Sequence, residues 1–143
     1  MKAILLIIFI LIWIRMLTAP PGVNIPVLLQ RDALNNNEAI WQAICDIESH
    51  QNILAYCIDV NGKPSVGIGQ IQYSRVREFN QQTGKNYTHN DMFDPVKARE
   101  VFDHYAAKSN NEEHIIRCWN GGEPNGIKKK STIKYWNKVK SRL

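Results

Sequence analysis

One short stretch in the middle of the chain limits its architecture more than any other. Between Ala55 and Gln72 stand Asn61-Gly62, Pro64, Gly67 and Gly69, and no helix crosses that many breakers. On either side the apolar residues recur with the helical period. Ile40, Ile44 and Ile47, with Trp41 beside them, predict a helix from Glu38 to about Ser49, opened by a capping cluster of Asn35, Asn36 and Asn37. Beyond the stretch, Ser74 is a candidate cap for a helix that carries Val76 and Phe79 and stops near Gly84. Asp94-Pro95 starts a helix with Val96, Val101, Phe102 and Tyr105. Asn110 and Asn111 open another through Ile115, Ile116 and Trp119, which Gly121-Gly122 ends. Ser131 or Thr132 starts the last, with Ile133, Trp136 and Val139 as its apolar stripe. The expectation is a mainly α domain with a small irregular or β element, including a hairpin turn at Asn61-Gly62. A length of 143 residues, 44% hydrophobic and 22% charged, fits one such domain.

A separate segment precedes it. Ala3 to Ile14 are apolar throughout, between Lys2 and Arg15. The run is shorter than the roughly 20 residues a membrane span needs, and it resembles the apolar region of a signal peptide in length. Cleavage is poorly encoded, because Ala19 follows Leu17 at the position where a second small residue belongs. An uncleaved N-terminal hydrophobic helix, with Trp13 at the membrane interface, is therefore preferred to a removed signal. Residues 1–19 are read as anchor or signal, 20–30 (rich in proline) as linker, and 31–143 as the folded domain. The domain is expected outside the cytoplasm, anchored or exported, facing the periplasm or cell wall, or held on a virion membrane.

The formal net charge is +5, and the excess lies after Glu123, in Lys128, Lys129, Lys130, Lys134, Lys138, Lys140 and Arg142. Such a run attracts anionic partners, but Lys130, Lys134, Lys138 and Arg142 fall four residues apart and read as one solvated helix face. No basic and aromatic interleaving marks a nucleic-acid groove, and no nucleic-acid partner is expected. Cys45, Cys57 and Cys118 cannot all pair within one chain. One disulfide and three free thiols are both compatible with the sequence. His50, His89, His104 and His114 are read as surface or helix residues without metal spacing, and Cys118 as lacking a histidine partner. Neither a metal nor another cofactor is expected. Trp41 and Trp136 are read as core.

The chemistry rests on three clusters. Glu48, followed by Ser49, ends a helix whose other face is apolar. A dry setting raises a carboxyl pKa, and a carboxyl that keeps its proton can protonate a glycosidic oxygen. Ser65, Gly67, Gly69 and Gln70 follow, with glycines that allow close approach and an amide suited to sugar hydroxyls. Trp119-Asn120-Gly121-Gly122 and Tyr135 complete the set.

The order Glu48-Ser49, Gly67-Ile68-Gly69-Gln70-Ile71, Asn120-Gly121-Gly122, then Thr132 and Tyr135, with Phe93-Asp94-Pro95 between, resembles the soluble lytic transglycosylase family over residues 38–140. The resemblance implies a lysozyme-like fold and cleavage of peptidoglycan glycan strands. It implies Glu48 as general acid/base, Ser49 holding the site, Gly67, Gln70 and Asn120 on the glycan cleft, and Tyr135 closing over the glutamate. Ser65 and Trp119 are taken as substrate-binding with them. The sequence departs from the family pattern in three places. Trp119 replaces a tyrosine, with Tyr135 the candidate to supply the lost hydroxyl. Ile68-Gly69 replaces a bulkier pair, and His50 stands where glycine is common.

A two-carboxylate glycosidase needs a second Asp or Glu. Asp46 lies on another face of the Glu48 helix, and Asp59 in the loop is a weak candidate, with Glu78 further along. The expected reaction is therefore intramolecular, giving a 1,6-anhydro-muramic product. A goose-type-like hydrolase, helped by Asp59, is the alternative. A non-catalytic wall-binding component of a secretion machine or virion is the other.

Overall fold

The computed structural model describes the backbone of residues 25–143 and the side chains of residues 36–143. The expected membrane anchor or signal, Trp13 included, and residues 20–24 of the expected linker lie outside the described residues. Residues Ala33–Leu143 form one compact unit. Among the described residues no helix is long and apolar enough to cross a membrane.

Helix α1 spans Ile25–Ser49. It begins well before the expected cap, and Asn35, Asn36 and Asn37 lie within it. Residues 25–30, expected as linker, are helical as well. From Ile40 onward the predicted period holds: Ile40, Trp41, Ile44 and Cys45 are buried, and Ile47 is partly so. The breaker-rich stretch folds as a small antiparallel sheet, β1 (Tyr56–Ile58), β2 (Pro64–Val66) and β3 (Ile71–Gln72) in that order. Asn61-Gly62 makes the first turn as expected, with Gly62 N–H donating to Asp59 O (2.8 Å). Register pairs Cys57 with Ser65, and Ser65 in turn with Gln72.

Helix α2 (Tyr73–Thr83) ends on Gly84 in the left-handed conformation (φ 73°). Ser74 lies inside it rather than capping it, since the cap position is Gln72, whose side chain makes no capping bond. Helix α3 (Pro95–Ala106) opens as predicted. Asp94 caps it by accepting from Val96 N–H (2.9 Å), while Val96 itself is exposed and Val101, Phe102 and Tyr105 are buried. Helix α4 (Glu112–Gly121) is capped by Asn111, which accepts from His114 N–H (2.9 Å), and stops at Gly122. Helix α5 (Ser131–Lys140) faces inward with Thr132, Tyr135, Trp136 and Val139. Ile133, predicted on that stripe, is 42% exposed. Thr132 takes the inward place because its hydroxyl is fully partnered: it accepts from the buried Arg117 (2.9 Å) and lies 2.9 Å from Gly126 O. Lys130, Lys134 and Lys138 are exposed, as a solvated face requires.

The core closes on three rings from different helices. Trp41 and Phe102 have centroids 5.0 Å apart, Phe102 and Trp119 5.4 Å at 72°, and Trp41 and Trp119 6.1 Å at 89°. The two edge-on pairs, Phe102–Trp119 and Trp41–Trp119, contribute about 0.5–1.5 kcal/mol each beyond the area they bury.

Gly67 is set by packing. Its φ is +74°, and an added Cβ would come within 1.9 Å of Met92 O, in the 3₁₀ turn Asn90–Phe93. Gly67→Ala is expected to cost about 2–4 kcal/mol, from overpacking and left-handed strain together. Gly62→Ala, at φ +73° with open space around it, should cost only about 1–2 kcal/mol. Urea unfolding of the two variants measures the difference; equal losses would show that the Met92 contact does not set the requirement.

Candidate active site

The end of α1 delivers Glu48 to the floor of a groove of about 640 Å³. The helix stops there because His50 (φ 53°) and Gln51 (φ 64°) both turn left-handed. Ser49 secures this end: its hydroxyl donates to Ile68 O (2.8 Å), nineteen residues ahead in the chain. Ser49 does not line the groove; it fixes the Glu48 helix to the Gly67–Gln70 turn.

Glu48 has one direct side-chain partner. The Tyr135 hydroxyl, from α5, donates to Glu48 Oε1 at 2.6 Å. Burial pushes the Glu48 carboxyl above its ordinary range, against the lowering effect of the Tyr135 bond, and the charge of Asp59 adds to the rise. Tyr135 is partly buried, and desolvation of its hydroxyl together with the neighbouring carboxyl holds that hydroxyl protonated, well above its usual value. The hydroxyl that Trp119 cannot supply is thus present on Tyr135, which contacts the acid without lining the groove.

Of the other expected site residues, Ser65, Gln70, Trp119 and Asn120 line the groove. Gln70 adopts φ +46° and donates from Nε2 to Gly67 O (2.9 Å). Asn120 is exposed. Trp119 is 7% exposed and shared with the core. Ser65 is 2% exposed and donates to Asp59 Oδ2 (2.6 Å), so its hydroxyl serves Asp59 first. Gly67 is a correction: it does not line the groove, and it is small because the Met92 backbone lies against it. Gly69 is another. An added Cβ there would meet the Trp41 ring at 2.7 Å, so the missing bulk makes room for the core and not for a sugar.

Three carboxylates line the groove, Glu48, Asp59 and Glu78, whereas Asp46 pairs with Arg142 and does not. Asp59 is the better placed of the two companions. Ser65 and Gln72 both donate to its Oδ2, and its charge is felt at Glu48. Sequence reasoning gave Asp59 little weight, because its two donors reach it only through the observed pairing of Ser65 with Gln72 across β2 and β3. It missed Arg75 altogether. The Arg75 guanidinium lies 4.6 Å from the Tyr105 and Trp119 ring centroids and donates to Trp119 O (2.7 Å), tying α2 to the α4 wall of the groove. Nothing local distinguishes it from the exposed Arg77 on the same helix.

All three cysteines are free, Cys57 exposed and Cys45 and Cys118 buried. His114 does partner Cys118, contrary to expectation: its Nε2 lies 3.7 Å from the sulfur.

The raised Glu48 value has a consequence for stability. The folded chain holds this proton to higher pH than the unfolded chain does. The contribution is therefore complete below the unfolded carboxyl value and is lost as pH rises through the folded one. Glu48→Gln should remove that loss, so the variant gains stability over the wild type as pH rises from about 4 to 8 in urea titrations. Tyr135→Phe deletes the bond that favours the ionised form, so the Glu48 carboxyl should titrate at still higher pH by carbon-13 NMR; an unchanged or lower value would remove Tyr135 from this role.

No family model matches the chain, and no curated protein matches it. Among solved structures it is similar to an inhibitor-bound lysozyme from Meretrix lusoria, at 25% identity and a TM-score of 0.54, covering 73% of this chain and 88% of that one. The helices, the small sheet and the groove between them make a lysozyme-like fold.

Proposed function

We propose that this chain cleaves peptidoglycan glycan strands at the MurNAc-β-1,4-GlcNAc bond, as a lytic transglycosylase with Glu48 as its single general acid/base. The observation that carries the proposal is the half-buried Glu48 carboxyl, raised in pKa and held by Tyr135 on a groove of about 640 Å³. The similarity to a lysozyme structure and the order of motifs shared with the transglycosylases support the same reading.

In this mechanism protonated Glu48 gives its proton to the bridging oxygen, and the bond from that oxygen to C1 of the muramic residue breaks. Glu48, now a base, takes the proton of the 6-hydroxyl, and O6 bonds to C1 to give the 1,6-anhydro end. The Tyr135 O–H holds the carboxyl in one orientation through both steps and gives up no proton itself. Gln70 keeps its amide oxygen, and Asn120 its whole side chain, for sugar hydroxyls or acetamido groups. The N-terminal apolar segment would deliver the domain to the wall side of a membrane.

A hydrolytic muramidase is the second reading, favoured by Asp59. Two hydrogen bonds fix this carboxylate on the same groove as Glu48, where it could activate water or steady positive charge at C1. The product separates the two. A transglycosylase releases muropeptides with anhydro ends, and a hydrolase releases reducing ends. Glu48→Gln should lower turnover on purified cell walls by at least about 100-fold. Equal clearing by variant and wild type would instead leave a wall-binding component without catalysis.

A further inference from the structure

A second constellation lies outside the groove, behind its α4 wall. His114 and Cys118 are one helical turn apart on α4 and therefore share a face. Gly122 turns the chain at φ +86°, and Glu123 comes back onto that face, with its Oε2 3.6 Å from His114 Nε2. One ligand atom each from His114, Cys118 and Glu123 all fall within 4.8 Å of one another. Tetrahedral zinc, with bonds of about 2.0–2.3 Å, sets its ligand atoms roughly 3.3–3.6 Å apart. The spacings of 3.7 Å from nitrogen to sulfur and 3.6 Å from nitrogen to oxygen fall at or just beyond that range, and the carboxylate and sulfur, within 4.8 Å, would draw together on the ion.

We propose that His114 Nε2, Cys118 Sγ and the Glu123 carboxylate form a binding site for zinc or a similar borderline-soft divalent cation. The donor set chooses the metal class. An imidazole and a thiolate exclude calcium and magnesium as natural occupants, and a carboxylate with them favours zinc over copper(I). Three protein ligands leave a fourth position for water or an external group. Access is through His114, whose side chain is 29% exposed, while Glu123 is 11% exposed and Cys118 is buried.

Binding replaces the thiol proton of Cys118, so one proton leaves to solvent for each ion taken up, and affinity rises with pH. The ion's role is to fasten the turn after α4. Gly121 and Gly122 line the groove, and Gly126 closes against the backbone of Arg117 and Cys118, where an added Cβ would come within 2.4 Å. Clamping Glu123 to α4 would hold that wall still. The proposal does not depend on the reaction assigned to Glu48.

Cobalt titration of the full-length, chelator-stripped protein tests it. One equivalent should give tetrahedral visible absorption together with a thiolate-to-cobalt charge-transfer band. That band should vanish in Cys118→Ser and survive in Cys57→Ser, and Glu123→Gln should weaken binding by at least roughly tenfold. In the wild type, zinc should slow alkylation of Cys118 but not of Cys57, a readout that needs no variant to fold. A charge-transfer band that persists without Cys118, or equal protection of both thiols, would overturn the proposal. So would no band and no protection at all, leaving the three residues as an ordinary hydrogen-bonded cluster.

Discussion

The hydrogen bond from Tyr135 to Glu48 joins residues eighty-seven apart in the chain, and much of the domain is arranged to make it possible. A carboxyl in a dry setting is costly to ionise, and a phenol oxygen at 2.6 Å is the least that can satisfy it. For the two to meet, the last turn of α1 and the first half of α5 must come within reach of a glutamate and a tyrosine side chain. The inward row of α5, Thr132, Tyr135, Trp136 and Val139, recurs at three- and four-residue steps that put all four on one face. Thr132 anchors one end through Arg117, which also donates to Glu113 (2.6 Å) and Lys129 O (3.0 Å). Val139, fully buried, anchors the other. Arg142 then reaches Asp46 on the outer face of α1. The pair at the floor of the groove is thus held from both ends of one helix.

The parts of this fold that were legible in the sequence are those with local causes. Asp94, Asn111, Gly84 and Gly122 mark helix ends by hydrogen bonds or left-handed turns within four residues of themselves, and each does so here. The Asn61-Gly62 turn is of the same kind. Asn35, Asn36 and Asn37 misled because caps and poor helix formers are the same residues: propensity gives a cost of a few tenths of a kcal/mol each, which a long helix absorbs. The α5 stripe misled because hydrophobicity alone prefers Ile133 to Thr132. Burial went instead to the residue whose single hydroxyl could be fully bonded.

Site residues were legible to different depths for the same reason. Glu48, Gln70 and Asn120 were singled out from short motifs, and the fold brings all three to one groove. What Gly67 and Gly69 do was not, since their neighbours are Met92 and Trp41, more than twenty residues away. A glycine beside a ligand and a glycine beside a distant backbone are identical on the page. The His114–Cys118 spacing was visible, being one helical turn, but Glu123 belongs to the set only because Gly122 reverses the chain. Arg75 needed the positions of Tyr105 and Trp119 before it could be told from any other arginine on α2.

The sheet has a purpose that its small size conceals. Its strands are three, three and two residues long, too short to stabilise much by themselves. What they fix is a register, Cys57 against Ser65 and Ser65 against Gln72. That register brings the hydroxyl of Ser65 and the amide of Gln72 to one oxygen of Asp59, at the base of the β1–β2 turn. Slippage by one residue would put Ser65 on the opposite face and strip Asp59 of a donor. Two of the three carboxyls of the groove are therefore held by different means: Glu48 by a dry helix end and a phenol from α5, Asp59 by polar groups delivered by strand pairing. Their surroundings differ accordingly, desolvated at Glu48 and hydrogen-bonded at Asp59. The two are nonetheless coupled: Ser49 ties the Glu48 helix to the turn between β2 and β3, and the charge of Asp59 adds to the rise of the Glu48 carboxyl.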